Sequence, residues 1–311
     1  MSKEAVVVGC GVIGLSSAIR LQEAGFGVTI ISRDLPPNLT SAVAGAIWYG
    51  YGSHPRIRRW AEHSLETYLP MTQDEASGVL LRRVREVFVH PVAAPWFKNR
   101  LPFFERIPKH QLPKGFSDGF LMDVPIIETP TYLQCLVERF TSAGGHIEQR
   151  ALTSLAELIG QHTLIVHCTG VGARTVAADS SVYPLRGQVI KIAASHIQQG
   201  YMDDDHFTYL FPRNDGVILG GISQPNNWSL DPDPAINIDI LTRCAEIEPS
   251  VRSAPIIATL VGLRPGRHEV RLEVEQIDNT TIIHNYGHAG VGVTLSWGCA
   301  RDVVELAQLI T

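Results

Sequence analysis

The stretch that decides the fold is Ala5-Val6-Val7-Val8-Gly9-Cys10-Gly11-Val12-Ile13-Gly14. A short apolar run leading straight into G-x-G-x-x-G reads as a buried parallel strand, and Leu15 to Ala24 continues with the apolar spacing of a helix. This is a dinucleotide-binding turn in the context that gives the motif its meaning. Gly9 lets the chain turn sharply, Gly11 lets backbone approach a pyrophosphate, and Gly14 lets the helix pack closely on the strand. The helix N-terminus then faces the phosphates. Gly9, Gly11, Val12, Ile13 and Gly14 are accordingly the expected nucleotide contacts.

Working outward, Gly25 ends the helix and Gly27 to Ile31 reads as the second strand, completing a β-α-β unit. A ribose-binding acid is expected beyond that strand. Asp34 is the candidate, while Arg33 suits a phosphate, and the pair is equally compatible with a solvated strand end. Thr40, Ser41, Ala44, Gly45 and Ala46 form a small-residue backbone that a planar ligand can approach.

The composition sets limits. A chain of 311 residues, 45% hydrophobic, has ample material for a core. The net charge of −5, with arginines such as Arg56, Arg58, Arg59 and Arg82, Arg83, Arg85 placed on helix faces or strand flanks, offers no field for nucleic acid. Five scattered cysteines (Cys10, Cys135, Cys168, Cys244, Cys299) without C-x-x-C indicate neither a disulfide framework nor a zinc site. There is no apolar leader, no long apolar run and no peroxisomal tripeptide at Leu309-Ile310-Thr311, so no membrane association and a cytoplasmic, reducing location are expected.

Further on, helical spacing over Pro55–Leu69 gives way to strand patterns at 86–90, 119–123 and 126–128. A helix over about 131–143 and strands at 146–150 and 164–168 lead into a second glycine turn, Thr169-Gly170-Val171-Gly172. Strands resume at 186–192, 207–211 and 216–221, followed by a helix over 237–247. A strand at 281–285, a glycine-rich loop and a helix over 295–309 close the chain. The expected fold class is α/β. A Rossmann-like nucleotide domain (1–78, 129–183, 263–311) is interleaved with a β-rich substrate domain (79–128, 184–262).

The last loop is a second cradle: Gly287, His288, Ala289, Gly290, Val291, Gly292, Val293 and Thr294 precede a helix and present backbone N–H groups and a positive helix end. A cradle at each end of the chain suits a flavin dinucleotide better than a nicotinamide one, because positive charge beside the ring stabilises the reduced flavin. His284 and His288 are read as structural rather than metal-binding. Arg264, in a turn between apolar flanks, needs a carboxylate, supplied either by a ligand or by an internal acid such as Glu273. Tyr209 alternates either into the core or toward a cleft, with core the better reading by pattern.

In chain order, GCGVIGLSSAIRLQEAG, TSAVAGAIW, VHCTGVGAR, PLRGQVIKI, TYLFPR with VILGG, VGLRPGRHEVRLE and HNYGHAGVGVTLSWG resemble the flavin-dependent D-amino-acid oxidase family over nearly the whole length. The resemblance implies FAD as cofactor, with Thr40, Ser41, Ala44, Gly45 and Ala46 at the flavin and Cys168, Thr169 and Gly170 in the nucleotide cradle. It implies that Arg264 and Tyr209 hold a substrate carboxylate and that the Gly290 carbonyl receives the amine. The implied reaction transfers the α-hydrogen of a D-amino acid to flavin N5, and oxygen then yields hydrogen peroxide, a 2-oxo acid and ammonia. Neutral D-amino acids are favoured. The alternatives are D-aspartate or D-glutamate, glycine or a secondary amine, a nicotinamide dehydrogenase, and a silent flavin-binding protein; the oligomeric state is left open. Two departures stand out. Asp205 occupies a position where several members carry an active-site tyrosine, with Tyr201 a substitute from further back on the 200–206 segment. Tyr49 to His54 also differ, raising the question whether His54 or Arg56 reaches an acidic side chain.

Overall fold

The computed structural model describes residues 3–310. The chain runs β1 (Lys3–Val8), α1 (Val12–Glu23), β2 (Phe26–Ser32), α2 (Pro55–Met71), β3 (Val79–Phe88), β4 (Phe104–Arg106), β5 (Asp118–Ile127), α3 (Thr129–Ser142), β6 (His146–Gln149) and β7 (Leu164–His167). It continues α4 (Ala173–Val176), β8 (Tyr183–Ile192), β9 (Gly200–Asp203), β10 (Thr208–Arg213), β11 (Gly216–Gly220), β12 (Gln224–Pro225), α5 (Pro234–Ile247), β13 (Ile256–Gly266), β14 (Arg271–Ile277), β15 (Thr280–Tyr286) and α6 (Gly292–Ile310).

β1 lies inside a six-stranded sheet of order β14-β15-β7-β1-β2-β6, parallel except for β14. Its apolar run is explained by burial on both faces. Ala5 and Val7 join the core with Leu15, Ile19 and Trp297, while Val6 and Val8 join Leu155, Leu158 and Ile165 on the other side. Each valine, leucine or isoleucine buried in this way contributes about 1.5–3 kcal/mol. α1, α3 and α6 pack against one another on the first face. The chain leaves β1 toward β2 and β6 on one side and crosses to β7 and β15 on the other, so the order reverses at β1/β7. A ligand crevice is expected at the carboxyl ends of these two strands.

The second sheet has nine strands, β12-β8-β11-β10-β9-β3-β5-β4 with β13 on β8. Its alternation splits between two cores. Val84, Met122, Val189, Met202, Phe211 and Ile218 share one core with residues of β1 and α1. Val87, Ile190, Tyr201, Leu210, Val217 and Leu219 face away and are covered by Ile240 and Cys244 of α5. β13 continues through the 262/263 position to Gly266, so Arg264 sits on a strand and not in a turn. Among the described residues no helix is long and apolar enough to cross a membrane.

Candidate active site

Four chain segments converge where the sheets meet. The first is the glycine turn after β1. Gly9 has φ +112°, and a Cβ there would stand 2.5 Å from the Cys168 carbonyl oxygen. A Cβ on Gly14 would stand 1.9 Å from the Gly9 oxygen. Gly9 and Gly14 are therefore demanded by packing between the ends of β1, β7 and α1, with the Cys168 N–H donating to the Val8 carbonyl at 2.8 Å. α1 starts with no side-chain cap and no acid in its first turn, although the Val12 N–H donates to the Ser41 hydroxyl at 3.1 Å. Arg33 and Asp34 pair with each other at 2.7 Å at the exposed tip of β2.

The second segment, Thr40 to Trp48, is laid between the sheets by backbone bonds to β5. Ile127 N–H donates to the Ala46 carbonyl and Trp48 N–H to the Pro125 carbonyl, both at 2.8 Å. Gly45 lies against the Tyr209 ring, where a Cβ would stand 3.2 Å from it. The third segment is the loop before α6 together with that helix's first turn, because α6 starts at Gly292 and takes in Val293 and Thr294, which the sequence placed in the loop. The Thr294 hydroxyl bridges to the Ile47 carbonyl and the Tyr49 N–H, fastening this segment to the second. Ala46 and Ala289 both hold positive φ, +48° and +46°. A non-glycine residue in the left-handed region costs on the order of 1 kcal/mol or more, and such residues cluster at ligand-binding backbone.

The fourth segment carries Arg264. Its Nη1 donates to the Ile222 carbonyl at 3.0 Å, and its guanidinium lies over Gly187, where a Cβ would stand 2.6 Å from it. Tyr209 reaches the same guanidinium, and burial pushes its hydroxyl pKa up while Arg264 opposes the shift. The Tyr209 ring is half-buried, stacked on Phe211 at 4.7 Å and floored by Gly220 and Gly221. The ring packs, partly buried, against the main core. Residue 290 faces Arg264 as well, with a Cβ there 3.6 Å from the Arg264 Cδ. Among the described residues Arg264 has no carboxylate partner, and Glu273, the internal acid considered for it, pairs with Arg271 at 2.7 Å.

Several other sequence expectations resolve. Tyr201 is no substitute on the substrate side, because it packs behind the second sheet with Leu210. Tyr51 stands near Tyr209 instead. Asp205 accepts from the Val89 N–H at 3.0 Å, tying its turn to the end of β3. His54 caps α2, and Arg56 donates to the Leu272 carbonyl at 2.7 Å, so neither faces the Arg264 region. His284 does have an acid beside it: Glu275 at 2.8 Å, in a chain through His167 (3.1 Å) to the Thr169 hydroxyl (2.6 Å). Burial holds the His167 pKa down to about 3, so this chain is neutral at its centre and fixes Thr169 at the second glycine turn. Sequence reasoning missed that chain, and also Gly187, Gly220 and Gly221, whose only signal was their place inside the quoted stretches PLRGQVIKI and VILGG.

The donor set suits FAD. Two helix starts, at α1 and α6, carry no acid in their first turns. A pyrophosphate at the first and an electron-rich ring at the second would both meet positive ends. Comparison with known proteins agrees. A family model described as FAD dependent oxidoreductase matches residues 4–306. A D-amino-acid oxidase of Rubrobacter xylanophilus is 42% identical over 310 residues, covering 97% of this chain and 95% of that protein. A D-amino-acid oxidase of Dictyostelium discoideum is 37% identical over 315 residues, covering 97% and 91%. The crystal structure of glycine oxidase from Geobacillus kaustophilus superposes with a TM-score of 0.82 over 99% of this chain and 95% of that one, and at 15% identity this likeness speaks for the fold. With two cradles on one sheet, an arginine that has no acid partner among the described residues, and a family model matching nearly end to end, the chain belongs to the FAD-dependent oxidoreductase family.

Proposed function

We propose that this enzyme oxidatively deaminates D-amino acids, with FAD held by its two glycine cradles and oxygen as the final acceptor. FAD, when bound, supplies a two-electron acceptor. The residues that would hold it are Gly9, Gly11, Val12, Ile13 and Gly14 with Arg33 and Asp34, the segment Thr40, Ser41, Ala44, Gly45 and Ala46, Cys168 to Gly170, and the segment from Gly287 to Thr294 that ends in the first turn of α6. The observation that carries the reading is Arg264, a half-buried guanidinium fixed over Gly187 with no internal acid among the described residues. A substrate carboxylate supplies the missing partner, accepting from Arg264 and from the Tyr209 hydroxyl.

The Gly290 carbonyl accepts from the substrate ammonium, so carboxylate and nitrogen are fixed at two points and the Cα hydrogen has one direction. Orientation of this kind is worth several kcal/mol of barrier. The scheme requires no side-chain base. Neutral side chains fit better than acidic ones, because His54 and Arg56 are engaged elsewhere. The reaction balances as amino acid, oxygen and water giving 2-oxo acid, ammonia and hydrogen peroxide. All five cysteines are free, which suits a reducing cytoplasm.

The test is peroxide release by purified holoenzyme. D-norvaline is expected to react and L-norvaline not, with D-aspartate slower by at least about tenfold, since burying an unpaired carboxylate is costly. Preferred oxidation of glycine or sarcosine, or equal rates on both enantiomers, overturns the reading.

A further inference from the structure

One buried acid near this site is not used by the scheme above. Glu86 on β3 pairs with Met202 on β9, and Met202 pairs with Tyr209 on β10. Residues directly paired across a sheet project from the same face. Glu86 therefore points to the side of the sheet that carries Tyr209, two strands or roughly 10 Å along it.

Glu86 is fully buried, and neither of its carboxyl oxygens meets a hydrogen-bond partner among the described residues. The Tyr49 hydroxyl is close enough to interact with it, without hydrogen-bond geometry. Tyr49 and Tyr51, with ring centroids 4.5 Å apart, both stand near it. Tyr51 in turn interacts with Glu86, with Tyr209 and with Asp204, an exposed acid in the turn after β9. No basic side chain is among the groups that influence Glu86. The side chains that act on Glu86 itself are thus a tyrosine and an acid, with Met202 between it and Tyr209 in the sheet.

We propose that Glu86, with Asp204 at the rim, receives the cationic end of a substrate side chain, so that D-amino acids with a guanidinium or ammonium group are substrates of this site. The proposal rests on the function given above and extends it to the side chain. Such a group supplies the N–H donors that the Glu86 oxygens lack, and the pairing is charge-assisted. Neutral side chains are accommodated with Glu86 protonated, since burial pushes its pKa up to about 8.

The direction with pH follows. A cation favours ionised Glu86, so below its pKa in the free enzyme binding must also expel a proton, and the preference for the cation weakens. The experiment compares D-arginine with D-citrulline, its neutral isostere, in the holoenzyme from about pH 6.5 to about pH 9. D-arginine keeps its side-chain charge throughout this range. Taking the ratio of their kcat/KM values cancels the groups that both substrates share, including the α-ammonium and Arg264.

The ratio is expected to rise with pH by about tenfold or more and to level off above Glu86 ionisation. In Glu86→Gln the rise should vanish, and in Asp204→Asn the plateau should fall. The wild-type profile is decisive even if a variant folds poorly. A flat ratio near unity in wild type, or a rise that persists in Glu86→Gln, overturns the proposal while D-norvaline oxidation still stands. Absence of D-norvaline oxidation overturns the function itself.

Discussion

Arg264→Ala is expected to lower kcat/KM for D-norvaline by about a hundredfold or more while the purified protein stays yellow. The guanidinium is held by the Ile222 carbonyl at 3.0 Å and by its seat over Gly187, and it touches no acid among the described residues. Its removal would therefore leave a substrate carboxylate facing the Tyr209 hydroxyl alone. Losing one partner of a buried charged pair typically costs 2–5 kcal/mol. Arg264→Lys is expected to recover only part of the loss, since a point charge cannot reproduce the planar fork. Steady-state kinetics with D-norvaline, together with the flavin-to-protein absorbance ratio, read both halves. Near-normal kcat/KM in Arg264→Ala would remove the anchor from its assigned role.

Gly14→Ala is expected to abolish FAD retention. The added Cβ would stand 1.9 Å from the Gly9 backbone oxygen, where no flexible side chain can give way, so α1 must move away from the end of β1. That shift displaces the helix start from the phosphate position, and the glycine turn between β1 and α1 loosens with it. The expected product is colourless or insoluble. Gly25→Ala, at the other end of the same helix, is the control: φ is +87°, and a Cβ there meets nothing within 4 Å. It should cost about 1 kcal/mol of stability for the left-handed backbone and keep its flavin. A fully loaded Gly14→Ala protein would show that the turn does not hold the cofactor as described.

Much of the nucleotide side was legible because it is local. The apolar run Ala5–Val8, the glycines after it and the glycine loop before α6 carry their meaning in adjacent residues, and burial of β1 on both faces explains the unbroken run. The substrate side depends on pairing that sequence does not display. Glu86 opens the strand pattern at 86–90 next to Arg82, Arg83 and Arg85, and only the register opposite Met202 and Phe120 shows that it turns inward. Tyr201 and Met202 are neighbours, yet alternation sends the first behind the sheet and the second toward the site. The same limit applies to Arg264: whether Glu273 or a ligand neutralised it could not be read until β14 placed Glu273 beside Arg271. The segment Thr40–Trp48 likewise needs β5 before its course is defined.

The central claim is that one carboxylate anchor beside bound FAD admits one enantiomer. Anaerobic titration of the yellow holoenzyme with D-norvaline and then, on a fresh sample, with L-norvaline tests it most directly, read as loss of the flavin's blue absorption. Complete bleaching by the D enantiomer and none by the L enantiomer is the predicted result. Bleaching by both, or by neither, would contradict it.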